Sequence, residues 1–288
     1  MKIIHSIADM KSTIHKLMQG KPAYRTGRHS IGFVPTMGVL HEGHRSLIRR
    51  ARRENDHVVV SLFVNPLQFG PKEDFKRYPR TLKQDLTLLK QEHVDIVFNP
   101  SASELFPPGF STAVEVPAYE KTLCGPFRPG HFRGVATVVA KLFEIVRPIR
   151  AYFGEKDYQQ CRVIAQMVQD LQIPVRIVAC STVREPDGLA VSSRNRYLSK
   201  KEREEAVQLY QALYLGRELI EQKIMLDSQR LEKRLKQILS QIPRSGVDYI
   251  SVVDPVTLAP MKRIHRPAVL AAAIWIGKTR LIDNVVIS

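Results

Sequence analysis

The sequence predicts an α/β protein: a Rossmann-like parallel sheet over residues 1–183, followed by a smaller α+β domain over 184–288. Three observations predict it. Short apolar runs alternate with amphipathic stretches through the first part of the chain, the pattern of parallel strands covered on both faces by helices. Small-residue turns stand where predicted strands hand over to helices. After Arg184 the order changes to helices first and strands afterwards.

Taken in order, Ile7, Met10, Ile14 and Leu17 share one helix face. Ile31, Phe33 and Val34 form an apolar strand, and an arginine-rich helix follows over 45–54. Residues 57–64 are almost continuously apolar and read as a buried strand. Pro79 is placed to open the next helix, which turns Leu82, Leu86 and Leu89 inward. A strand is expected over 94–98. Val135, Val138, Val139, Leu142, Phe143 and Val146 then recur at helical spacing, and this helix stops before Pro148. A strand over 151–153, a helix over 157–170 and a strand over 173–179 complete the first domain. Beyond it, Glu185-Pro186-Asp187-Gly188 is a turn. Ser199-Lys200-Lys201-Glu202 matches a capping box opening a long polar helix. A second helix over 229–239 and strands near 247–253, 268–276 and 281–287 follow.

Composition excludes several classes. No apolar run reaches the ~20 residues a bilayer crossing needs, so no membrane partner is expected. The first residues lack the apolar core and cleavage site of a secretory leader. Cys124, Cys161 and Cys180 are odd in number and widely spaced, which argues against a disulfide framework or a zinc cluster. A cytoplasmic protein without a resident metal is expected. The net charge of +16 points to anionic ligands, but the basic residues scatter over separate helices without aromatic platforms. Small polyanionic substrates fit that scatter better than a specific nucleic acid.

Four segments carry candidate chemistry. The first is Pro35-Thr36-Met37-Gly38-Val39-Leu40-His41-Glu42-Gly43-His44, a strand, a glycine turn and a helix start. Helix N-termini attract anions, phosphate above all, and two imidazoles are delivered there. Gly43 is read as letting a ligand approach the backbone. By itself a His-x-x-His more often marks a capped helix with structural histidines. The second is Asn65-Pro66-Leu67-Gln68-Phe69, whose amides stand at a strand's carboxyl end, where open sheets bind ligands. The third runs from Phe153 through Gly154, Glu155, Lys156 and Asp157 to Gln160. There Lys156, Asp157 and Gln160 can face one pocket, the lysine as a point charge. The fourth is Val191-Ser192-Ser193-Arg194-Asn195, able to close over a triphosphate, though taken alone a polar linker is the favoured reading. Arg128-Pro129-Gly130-His131-Phe132-Arg133-Gly134 is placed near the same site. Gly277-Lys278-Thr279 is not a P-loop, because position 272 is alanine where the motif needs glycine.

Together these motifs, in this order and with RYPRTLKQD at 77–85 and RLIDN at 280–284, resemble the pantoate–β-alanine ligase family over essentially the whole chain. That family is similar to class I aminoacyl-tRNA synthetases in its HIGH-type turn. The resemblance implies that the C-terminal domain acts as a lid and that the protein is a homodimer. It implies ATP as substrate, with Mg²⁺, and pantoate and β-alanine as the molecules joined, through a pantoyl adenylate that releases pyrophosphate and then AMP. Met37, Gly38, Val39, Leu40, His41, Glu42, Gly43 and His44 would hold ATP, with Gly154, Glu155, Lys156, Asp157, Val183, Val191, Ser192, Ser193 and Arg194. His44 is implied as the catalytic histidine, with His41, Lys156 and Arg194 stabilising charge. Gln68 is implied to contact pantoate and β-alanine, Gln160 to contact pantoate, and Asn65 to join them. Cys124 departs from the glutamate of many relatives, and Ile149 from an acid. Two rival readings remain: a nucleotidyltransferase acting on a phosphorylated cofactor precursor, which would leave a stable dinucleotide, and a basic RNA-binding module on a degenerate synthetase fold.

Overall fold

The structure is a computed structural model that describes residues 1–18, 30–71 and 73–288. Its elements in chain order are β1 (Lys2–Ile4), α1 (Ile7–Met18), β2 (Ile31–Thr36), α2 (Glu42–Glu54), β3 (His57–Leu62), α3 (Leu82–Gln91), β4 (Ile96–Phe98) and α4 (Ala102–Leu105). Then come α5 (His131–Val146), β5 (Arg150–Gly154), α6 (Tyr158–Asp170), β6 (Arg176–Cys180), α7 (Lys200–Glu221), α8 (Ser228–Leu239), β7 (Ser245–Val253), β8 (Ala268–Ile276) and β9 (Thr279–Ile287). Two compact units emerge. The first comprises Met1–Val116, Gly130–Glu155 and Val163–Ser181, and the second Pro117–Pro129, Lys156–Arg162 and Thr182–Ser288.

The first unit holds a parallel sheet in the order β1-β4-β3-β2-β5-β6. From β2 the chain steps outward through β3 to β4, then returns to the other side of β2 with β5 and β6. The order therefore reverses between β2 and β5, the switch point at which α/β sheets bind ligands outside their carboxyl ends. A proline opens this point. Ile149 donates its N–H to the Ile31 carbonyl, so Ile31, Phe33 and Pro35 turn their backbone groups toward β5. Pro35 has no N–H to donate, and the β2–β5 ladder runs only through Gly32 and Phe33. Toward β3 the pairing continues to Thr36. The core of this unit packs Val34, Leu47, Ile48, Val58, Val60 and Leu89 around the sheet, all at most 7% exposed.

The second unit holds the antiparallel sheet β7-β8-β9, with α7 against β8 and β9 and α8 against β7. Leu213, Leu231, Leu235, Leu270 and Ile274 are fully buried between helices and sheet. Gly216 permits the approach, because a Cβ there would lie 2.5 Å from Leu270 Cδ2. The α/β class and the helices-then-strands order of the last third are as the sequence predicts. The capping box at Ser199 also forms, with Ser199 Oγ accepting from the Glu202 N–H and Glu202 Oε2 from the Ser199 N–H.

Three local expectations are corrected. Strand β1 pairs with β4 as a sheet edge, and its three residues are too few for periodicity to reveal. Helix α3 begins after Thr81 and not at Pro79; the Thr81 carbonyl takes the first helical bond from the Asp85 N–H at 2.9 Å. Strand β6 begins at Arg176, because the turn around Pro174 draws Val175 N–H to the Ile173 carbonyl and out of the ladder.

Four of the five arginines of α2 are drawn into ion pairs. Glu92, with its side chain 8% exposed, accepts from Arg45 Nε at 2.5 Å and Arg49 Nη2 at 2.9 Å. Arg52 meets Asp95 at 2.6 Å and Arg50 meets Glu54 at 2.9 Å. Burial pushes the Glu92 carboxyl up, but the hydrogen bonds from Arg49 and Arg45 outweigh it and hold the group below its usual range. A depressed folded-state value stabilises the fold above the unfolded carboxyl's range, and this contribution is lost as pH falls through the folded value. Glu92→Gln should therefore cost about 1.5 kcal/mol at neutral pH, the low end for charged hydrogen bonds because Arg49 is 42% exposed. Urea unfolding at several pH values should show the gap from the parent narrowing below about pH 4.

Candidate active site

The turn that joins β2 to α2 is the most constrained backbone of the first unit. Gly38 and Val39 both have positive φ, +80° and +54°. For a β-branched residue such as Val39 that conformation is strained and needs support from its surroundings. Asp85, on α3 and 4% exposed, supplies it. Its Oδ2 accepts the Val39 N–H at 3.1 Å and its Oδ1 the Leu40 N–H at 2.8 Å, while Thr81 Oγ1 donates to Oδ2 at 3.1 Å. Gly38 N–H bonds Thr36 Oγ1 at 3.1 Å, and Thr36 Oγ1 itself donates to the Ser61 carbonyl. A Cβ at Gly38 would sit 3.1 Å from Asp85 Oδ2, so the glycine serves both the turn and the carboxylate.

His41 is the N-cap of α2 and His44 its third residue. The His41 backbone N–H points to His44 Nδ1 at 3.4 Å, which makes Nδ1 an acceptor and places the proton of the neutral ring on Nε2. The two rings lie 4.1 Å apart, tilted by 39°. Gly43 has a further use beside the ligand approach expected from the sequence. A Cβ there would stand 3.0 Å from the His41 ring, so the glycine makes room for the imidazole. The N–H groups of Gly38, Val39, Leu40 and His41 all have partners within the protein. Attraction for an anion therefore rests on the first turn of α2, its dipole and the imidazoles.

Next to this turn, at the end of β3, Asn65 caps a 3-10 turn over Pro66–Gln68. Asn65 is 1% exposed and its amide is fully engaged: Oδ1 accepts from Leu67 N–H, and Nδ2 donates to the Gly134 carbonyl and to Gln68 Oε1, both at 3.0 Å. Gln68 Nε2 in turn reaches Met37 Sδ at 3.2 Å, so the second segment touches the first. The start of α5 supports them from below. His131 Nδ1 pairs with the Gln68 carbonyl at 2.8 Å, and a Cβ on Gly134 would lie 2.2 Å from the Leu67 carbonyl oxygen. On the far side of the switch point β5 ends at Gly154, followed by Glu155, and a Cβ on Gly154 would meet nothing within 4 Å.

The other predicted residues belong to the second unit. Lys156 and Asp157 lie in a 3-10 turn ahead of α6, the lysine 19% exposed and 3.8 Å from the Asp157 carboxylate. Gln160 lies on α6, half-buried. Its neighbour Gln159 is buried and fastens residues 119–124, accepting from Cys124 N–H and donating to the Tyr119 and Thr122 carbonyls. Val183 and Val191 are joined by a backbone bond of 3.0 Å across a hairpin, and Ser192 caps the 3-10 turn that carries Ser193 and Arg194. Cys124 Sγ lies 3.3 Å from Tyr249 Oη and 3.6 Å from both terminal nitrogens of Arg280. Burial pushes the Tyr249 phenol well up.

Asp85 escapes sequence reasoning about the site, because an aspartate on an amphipathic helix reads as solvent-facing. Its position four residues before Leu89, on the one buried face of α3, is the signal that marks it; Leu82, expected to turn inward, is instead 41% exposed in the first turn of the helix.

A doubly wound parallel sheet whose switch point carries a helix N-terminus with paired imidazoles defines a nucleotide-binding α/β enzyme. The profile of the pantoate-beta-alanine ligase family matches residues 2–286. The pantothenate synthetase of Thermotoga petrophila is 51% identical over 287 residues, and that of Thermotoga neapolitana 52% over 291, with both chains fully covered in each case. A crystal structure of the Thermus thermophilus pantothenate synthetase superposes with a TM-score of 0.90 at 46% identity, covering 99% of each chain. The Francisella tularensis pantoate-beta-alanine ligase, crystallised with beta-gamma ATP and beta-alanine, gives 0.79 at 37% identity over 99% of this chain and 97% of that one. The chain belongs to the pantoate–β-alanine ligase family.

Asp85→Asn replaces one acceptor oxygen by a donor, so one of the Val39 and Leu40 N–H groups loses its partner inside the protein. The variant should lose about 1–3 kcal/mol in chemical denaturation. Hydrogen exchange at residues 38–41 should accelerate while β7–β9 stay protected.

Proposed function

We propose that this enzyme joins pantoate to β-alanine with ATP, through a pantoyl adenylate, to give pantothenate, AMP and pyrophosphate. The observation that carries the reading is the contact of two motifs at the switch point. Gln68, oriented by Asn65 and His131, lies against Met37, beside the helix start that bears His41 and His44. Family membership over residues 2–286 supplies the substrates. The same match disfavours both rival readings, the cofactor-precursor nucleotidyltransferase and the RNA-binding module.

The pantoate carboxylate is ionised at neutral pH and attacks the α-phosphorus without a general base. Its approach to a polyanion is the difficult part. His44 Nε2–H, His41 and the first turn of α2 meet the developing negative charge, and Lys156 and Arg194 add point charges. Met37 to His44, Gly154 to Asp157, Val183 and Val191 to Arg194 hold ATP in this reading. Gln68 and Gln160 hold pantoate, Gln68 also β-alanine, and Asn65 acts by orienting Gln68. Pyrophosphate departs, the neutral amine of β-alanine attacks the activated carbonyl, and AMP leaves. Residues 192–195 close the site, which protects the adenylate from water.

Mg²⁺ neutralises triphosphate charge in such reactions. Among the described residues no group of three or more His, Cys, Asp or Glu side chains converges, so the donors fit an ion carried in by the phosphates themselves. A homodimer in the cytoplasm completes the proposal; the three buried cysteines, none in a disulfide, suit a reducing compartment. Among the described residues no helix is long and apolar enough to cross a membrane.

The enzyme should exchange labelled pyrophosphate into ATP when pantoate is present and β-alanine absent. Exchange that needs β-alanine, or release of ADP, would refute the adenylate route. His44→Ala should fold normally and slow adenylate formation by roughly 10²–10³, about 2.7–4 kcal/mol. Gly134→Ala is the more distant probe. Its methyl must displace the Leu67 carbonyl, so pantoate KM should rise while α5 keeps its helicity, as circular dichroism would record.

A further inference from the structure

The RLIDN motif at 280–284 has no part in the reaction as described, yet two of its residues fasten the segments that carry the cations. Asp283 and Asn284 are adjacent on β9, 3% and 6% exposed. The Asp283 carboxylate takes both terminal nitrogens of Arg184, at 2.6 and 3.0 Å. Arg184 Nη1 also reaches the Gly188 carbonyl at 3.1 Å and Nη2 the Asn284 carbonyl at 3.2 Å, and the guanidinium lies 4.1 Å from the Tyr210 ring centre. Gly188, at φ +94°, allows this seat, since a Cβ would stand 2.2 Å from Tyr210 Cδ1. The hairpin so anchored is closed by the Arg184–Ala190 bridge and the Val183–Val191 bond, and Asn195 Nδ2 ties its exit to the Ala190 carbonyl. Ser192, Ser193 and Arg194 leave from its end.

Asn284 reaches the other segment. Its Nδ2 donates to the Lys156 carbonyl at 3.0 Å, fixing the backbone from which the lysine projects. Its N–H bonds Asp283 Oδ1 at 2.8 Å, so the two side chains share one network. Arg184 is matched by a buried carboxylate in a two-pronged pair and is thereby committed to structure, unlike Lys156, whose ion pair with Asp157 is long at 3.8 Å.

We propose that Asp283 and Asn284 are positioning residues for the nucleotide: they hold the Lys156 backbone and the hairpin that delivers 192–194 in fixed register within the second unit. The proposal rests on the reading of those segments as ATP-binding. A register held in advance lowers the ordering cost of binding, so its loss appears in ATP affinity before it appears in the β-alanine step.

Asn284→Ala removes the bond to Lys156 and leaves the ion pair. Arg184→Lys keeps the charge and loses the fork. Asp283→Asn is the harsher change, and if it fails to fold the other two decide. In pyrophosphate exchange with pantoate, both milder variants should raise ATP KM by about tenfold, the effect one net hydrogen bond can carry, with β-alanine KM in the full reaction within about twofold of the parent. Amide exchange of the ligand-free enzyme should quicken at 188–195 in Arg184→Lys and at 156–158 in Asn284→Ala. ATP KM within about twofold of the parent in folded variants, or a loss of activity that tracks the folded fraction alone, would overturn the proposal. A parent enzyme that shows no exchange would strike the catalytic reading instead. Calorimetric titration of the same variants with ATP alone would then decide the positioning role by the same tenfold criterion.

Discussion

The buried Asp85 carboxylate is the constraint on which the β2–α2 turn of the first unit depends. It lies on α3 but acts on the β2–α2 turn, where it holds the N–H groups of two consecutive residues. Without it, Val39 has no evident reason to stay at positive φ, because relaxation toward an extended conformation would relieve roughly 1–3 kcal/mol of strain. That relaxation would move His41 away from the cap of α2 and break the bond from its N–H to His44. The tautomer proposed for His44 therefore depends on a side chain more than forty positions further along the chain. A buried charge beneath the proposed phosphate site is unfavourable unless it is neutralised locally. Two backbone donors and the Thr81 hydroxyl provide that neutralisation.

A second constraint is the separation of β2 from β5. Parallel strands would otherwise zip together to their ends, leaving no crevice at the switch point. Pro35 stops the ladder without removing the strand from the sheet, since its neighbours Val34 and Thr36 still turn their backbone groups toward β3. Gly134 provides the complementary freedom on α5, allowing the helix to meet the backbone of the Gln68 turn. Proline and glycine here act through what they lack, an N–H in one case and a Cβ in the other.

Much of this was legible in the sequence, and the omissions have physical causes. Apolar runs and helical periodicity mark β2, β3 and α5 because burial leaves a repeating signature in those elements, and a capping box marks the start of α7. The three residues of β1 leave none. His41, His44 and Gln68 were visible because their motifs sit at strand ends. Asp85, which holds the turn, was not, because it acts across a long sequence separation; the segment with His131 and Gly134 was placed near the site, but its packing on the Gln68 turn was not readable. Asn65 illustrates the difference: its amide was readable as a substrate contact, while the structure shows its donor and acceptor groups committed to Leu67, Gln68 and Gly134. Composition identified a basic protein but not the pairing of α2's arginines, which depends on Glu92 and Asp95 from elsewhere in the chain.

The two units differ in the kind of group they present, and the difference suits the chemistry proposed. Among the proposed site residues the first unit has no lysine or arginine: it offers imidazoles, an amide, a thioether and a helix end, beside the carboxylates of Glu42 and Glu155. The second offers Lys156 and Arg194. An anionic nucleophile must survive close to a triphosphate, and a strong cation beside the carboxylate would hold it in the ground state as firmly as in the transition state. Neutral donors such as Gln68 orient the carboxylate without that penalty. Formal positive charge is better placed on the phosphates, where negative charge grows as pyrophosphate departs. On this argument a cation substituted at Gln68 would strengthen pantoate binding yet slow its adenylation. On the proposed reading the amide at that position favours rate over binding, and Asn65 and His131 orient it.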